Sequence, residues 1–109
     1  MMEMLALFFK QGDDIIVTAR YAEIPDGTGM TATFYIKDDK MMDDTDPSVT
    51  TYDSDIVADP DNLGATLSKF TIPSDDTQDT GAWWWKIRVF DPFSNVRTAN
   101  QGPLLIEAV

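Results

Sequence analysis

The stretch Ala82-Trp83-Trp84-Trp85-Lys86-Ile87-Arg88-Val89-Phe90 carries the clearest pattern in the chain. Successive side chains of a strand point to opposite faces, so Trp83, Trp85, Ile87 and Val89 share one side, and Trp84, Lys86, Arg88 and Phe90 the other. Opened by Gly81 and closed by Asp91-Pro92, this is a strand with one apolar face and one mixed face.

The same period recurs upstream. Residues 15–22 place Ile15, Val17, Ala19 and Tyr21 against Ile16, Thr18, Arg20 and Ala22, and stop at the turn Pro25-Asp26-Gly27-Thr28-Gly29. Residues 30–37 put Ala32, Phe34 and Ile36 inward and Thr31, Thr33, Tyr35 and Lys37 outward. An acidic loop follows over 38–46, then β-branched Val49, Thr50 and Thr51 in a short edge strand over 48–53. Residues 65–72 offer Leu67, Phe70 and Ile72 to the core. The parity change between Leu67 and Phe70 fits either a bulge or a Leu67 that packs on the second face. Downstream, a loop over 91–95 leads to a short strand over 96–99, a bend at Gly102-Pro103 and a final strand over 104–109.

The apolar run Met4-Leu5-Ala6-Leu7-Phe8-Phe9 is too short for a secretion signal core, has Glu3 where a positive residue belongs, and lacks a small-residue cleavage site. It reads as a first strand, or as an arm that adds to a neighbour's sheet edge. About seven short strands, punctuated by turns, predict one domain over residues 1–109: an all-β, immunoglobulin-like antiparallel sandwich.

Composition narrows the chemistry. Eight Lys and Arg against nineteen Asp and Glu give a formal charge of -11, which opposes binding to nucleic acid or to an anionic membrane. With no cysteine there is no disulfide and no thiolate ligand, and with no histidine there is no imidazole base or histidine-based metal site. Neither catalysis nor a cofactor is expected. The acidic clusters raise calcium binding. Asp59, Asp61 and Gly64 match the first, third and sixth positions of an EF-hand loop, but Leu63 and Phe70 occupy its fifth and twelfth. These acids are therefore expected to be solvated loops, with a looser calcium site built from separate loops as the alternative, and no metal ligand is assigned.

Trp84 shares its face with Lys86, Arg88 and Phe90, and aromatic residues beside Arg are the usual composition of protein interface hot spots. Trp84, Arg88, Phe90 and Phe93 are the first candidates for partner contact. Met41 and Met42, apolar and adaptable in a polar loop, join them. A sugar stacked on Trp84 is the competing use of the same residue.

The order of signals resembles a family. A Gln-Gly-Asp-Asp opening (Gln11, Gly12, Asp13, Asp14), a Pro-Asp-Gly turn, a Thr-Ala-Thr-Phe strand and a Phe-Thr-Ile-Pro edge (Phe70, Thr71, Ile72, Pro73) come first. A Gly-x-Trp strand (Gly81, Ala82, Trp83) and a Gly-Pro-Leu-Leu-Ile-Glu terminal strand from Gly102 to Glu107 complete the order. Together they resemble the small immunoglobulin-like domains of tailed-phage virions, namely minor tail proteins of actinobacterial phages and the amino-terminal domain of baseplate upper proteins. The resemblance implies a non-enzymatic structural protein assembled in the host cytoplasm into the virion, in the tail or on the capsid surface. Its partners would be other virion proteins and symmetric copies of itself. A capsid decoration protein is the near alternative, and a small carbohydrate-binding adhesion module on a host-surface glycan the alternative of another class.

Overall fold

Alternating apolar residues form strands here because each strand buries one face against a second layer. The computed structural model describes residues 6–93 and 95–109. Its strands are β1 (Leu7–Lys10), β2 (Ile15–Tyr21), β3 (Thr31–Lys37), β4 (Thr50–Asp55), β5 (Val57–Ala58), β6 (Thr66–Ile72), β7 (Gly81–Phe90) and β8 (Val96–Glu107), with a 3-10 turn at Ser74–Thr77. They form a five-stranded sheet, β1-β8-β7-β3-β4, and a three-stranded sheet, β2-β6-β5. The result is a β-sandwich whose larger sheet is of mixed direction and whose smaller sheet is antiparallel.

The inner faces meet in a core that includes Ala32, Phe34, Phe70, Ile72, Val89 and Leu104, each at most 2% exposed. Phe34 sits at its centre. Its ring stacks on Trp85 at 5.9 Å and 13°, and lies 5.6 Å from Phe70 and 6.3 Å from Tyr52. The inward sets expected for β2, β3 and β7 do face this core, with Ile15, Val17 and Ala19 only partly buried. Trp83, near the start of β7, is likewise half-buried against it.

Several expectations are corrected. The sandwich is not wholly antiparallel, because β1 pairs with β8 in parallel, from Leu7 opposite Leu104 to Lys10 opposite Glu107. These strands come from opposite ends of the sequence and share no hairpin, so no turn dictates their direction. The expected strand over 4–9 is seen as Leu7–Lys10, while Met4 and Leu5 lie outside the described residues. The separate strands over 96–99 and 104–109 are one strand, β8, because β7 pairs along its length and carries it through Gly102-Pro103. The register shift lies there, between Ile87 and Arg88, and not in β6. Strand β6 pairs regularly with β2 from Thr66 to Ile72, and Leu67 is buried on the second face, between Arg20 of β2 and Val57 of β5 in register. The two-residue strand β5 was not legible in the pattern.

Candidate functional site

The outward face of the five-stranded sheet collects most of the residues that matter. In register, Lys37 lies opposite Trp84, Tyr35 opposite Lys86 and Thr33 opposite Arg88. Two of these outward residues are buried: Lys37 is 3% and Tyr35 8% accessible. The chain between β3 and β4 folds back over them.

That loop, residues 38–49, is built from short turns closed by its own acids. Asp39 accepts the Met41 N–H at 2.8 Å, Asp43 the Thr45 N–H at 3.0 Å, and Asp46 the Ser48 N–H at 2.9 Å. Such side-chain acceptance two residues on is what favours Asp in turns. It also holds the carboxyls of Asp43 and Asp46 below the usual range. Asp59 and Asp91 close turns in the same way, accepting from Asp61 and from Phe93 and Asn95. The acidic clusters are thus loop-forming residues as well as solubilising charge. Among the described residues, no group of three or more acidic side chains is placed to hold a metal ion.

Asp44 is different from its neighbours. Its carboxylate reaches down to the sheet, where Lys37 Nζ donates at 2.7 Å, Lys86 Nζ at 3.0 Å and Arg88 Nη1 at 3.1 Å. Lys37 donates to Oδ1, while Lys86 and Arg88 share Oδ2. Burial pushes the Asp44 carboxyl up, but the hydrogen bonds and charges of Lys37 and Lys86 outweigh it and hold the group below its ordinary value. The same cover pushes the Tyr35 phenol up. Sequence reasoning missed Asp44, Lys37 and Lys86 as one unit. Lys37 was legible as an outward residue, but nothing distinguishes Asp44 within an acidic run.

Of the six contact candidates, the fold places Trp84, Arg88 and Phe90 on this face and Met41 and Met42 in the loop above it. Trp84 is half-buried, its indole N–H donates to Gln101 Oε1 at 3.1 Å, and Lys40 Nζ lies 5.6 Å from its ring centroid. A sugar stacked there would first have to displace Lys40. Arg88 is bound to Asp44, and Phe90 is half-buried at the end of β7. Met42 is half-buried, with the Ser48 hydroxyl donating to its sulfur at 3.4 Å. Met41 and Phe93 stand free, at 87% and 84% exposure. Phe93 lies beyond the strand, held outward by the Asp91 turn rather than gathered with the others.

Among the described residues, no helix is long and apolar enough to cross a membrane. No protein-family model and no curated protein sequence matches the chain.

Proposed function

We propose that the chain is an immunoglobulin-like assembly module of a tailed-phage virion, a minor tail or baseplate component that binds other virion proteins without catalysis. The observation that supports the immunoglobulin-like part is strand order. Strands β8-β7-β3-β4 follow the G-F-C-C′ order of such domains and β2-β6-β5 the B-E-D order. There are departures. The first strand lies on the β8 side, and the aromatic pair Phe34 and Trp85 fills the centre where antibody domains keep a disulfide and a strand C Trp.

The virion setting rests on the motif order described above. The assembly role draws support from Met41 and Phe93, large apolar side chains presented on turns that their own Asp residues rigidify. Both are exposed, so replacing them with Ser leaves the melting temperature within about 2 °C of the parent, as surface substitutions do. The expected result for the double variant M41S/F93S, supplied in place of the parent during phage growth, is a loss of incorporation into particles. Incorporation at the parental level would overturn the interface assignment.

A further inference from the structure

The cluster beneath loop 38–49 gathers three cationic donors on a single carboxylate. Three cationic groups converge on the two oxygens of Asp44, two of them on the same oxygen. Arg88 Nε, also buried at this place, has no hydrogen-bond acceptor. Lys37 is built in rather than adventitious, since its side chain is 4% exposed. Three positive groups contact the one carboxylate of Asp44, with Asp43 and Asp53 the neighbouring acids within electrostatic reach, and Lys40 over the adjacent Trp84 adds a fourth cation to this face. Half of the chain's eight Lys and Arg residues are gathered on one face of a protein whose net charge is -11.

Asp44 satisfies these three donors but brings only one negative charge to three cations. A tetrahedral oxyanion offers one oxygen to each cation, a second negative charge, and an arrangement that the guanidinium binds through two parallel N–H groups. We propose that Lys37, Lys86 and Arg88 form a binding site for a tetrahedral dianion, a phosphate or a phosphate monoester, and that Asp44 occupies this site in cis. Ligand entry displaces Asp44 and lifts loop 38–49, exposing Tyr35 and freeing Met42. The loop has no strand or helix of its own, so its displacement breaks no sheet pairing. The proposal stands on the cluster's geometry and is independent of the virion reading.

The probes are inorganic phosphate and glycerol 3-phosphate, each titrated against sodium chloride at equal ionic strength, with backbone amide NMR as the readout. In the unaltered protein, both are expected to give saturable shifts at residues 37, 43–45, 86 and 88. Saturation by inorganic phosphate alone identifies a free-ion site, and tighter binding of glycerol 3-phosphate identifies a monoester site. Asp44→Asn removes the internal competitor and is expected to tighten binding about tenfold or more, since an occupied site lowers apparent affinity by its free fraction. In D44N/K86Q the saturable shifts are lost. If D44N does not fold in chloride, its recovery in phosphate is the equivalent result, and the unaltered protein still decides the question. Shifts that match those in chloride, or that survive in D44N/K86Q, would overturn the proposal.

Discussion

Replacing Asp44 with Ala lowers the stability of the fold by about 2–4 kcal/mol at neutral pH, the range for breaking a buried charge pair, reduced because Arg88 remains partly solvated. Lys37 drives the effect. Its side chain is almost fully buried, and Asp44→Ala removes the carboxylate to which its ammonium donates. At about 4 °C per kcal/mol for a domain of this size, thermal unfolding by circular dichroism falls by about 8–16 °C. The effect has a pH signature. Asp44 titrates lower in the folded chain than in the unfolded one, so its contribution is complete above the unfolded value of about 3.9 and is lost as pH falls through the folded value. The gap between parent and variant is therefore widest at neutral pH and closes below about pH 4. A melting temperature within a degree of the parent at pH 7 would mean that the cluster does not hold the loop.

Phe34→Ala has a larger effect. The side chain is fully buried and touches aromatic rings from β4, β6 and β7, so truncation removes apolar burial and leaves a cavity that two facing sheets close poorly. The expected cost is about 3–5 kcal/mol, a large share of the roughly 5–15 kcal/mol that keeps such domains folded. Urea unfolding should show a lowered midpoint with an unchanged slope. Phe34→Leu, which restores most of the volume, should recover more than half of the loss. A Phe34→Ala midpoint equal to that of the parent would place the core elsewhere.

The contrast between these two residues marks what the chain discloses by itself. Phe34 is legible because strand alternation is a local rule: once residues 30–37 are read as a strand, Ala32, Phe34 and Ile36 must share a face. The same rule put Lys37 and Tyr35 outward, which is correct, yet both are buried. Their burial depends on where the next loop goes, and the turns that aim Asp44 at the sheet are long-range in effect though built from common Asp-x-Ser/Thr-like signals. Gly102-Pro103 failed in the opposite sense. Its local preference for a bend is real, but ten paired residues of β7 override it. The parallel docking of β1 on β8 has no local signal at all.

The surface follows the same division. Trp84 was recognisable as the odd member of a tryptophan triplet, whereas the Lys40 above it and the Gln101 beside it come from other parts of the chain. Of the six contact candidates, Met41 and Phe93 remain open because short Asp turns project them away from the sandwich.

The proposed role is tested most directly by quantitative mass spectrometry of purified virions, with the copy number of this chain scaled to the major capsid and tail-tube proteins. A minor tail or baseplate component is present in a small symmetric multiple per particle. Hundreds of copies would move it to the capsid surface or the length of the tail, and absence from purified particles would contradict the structural role altogether.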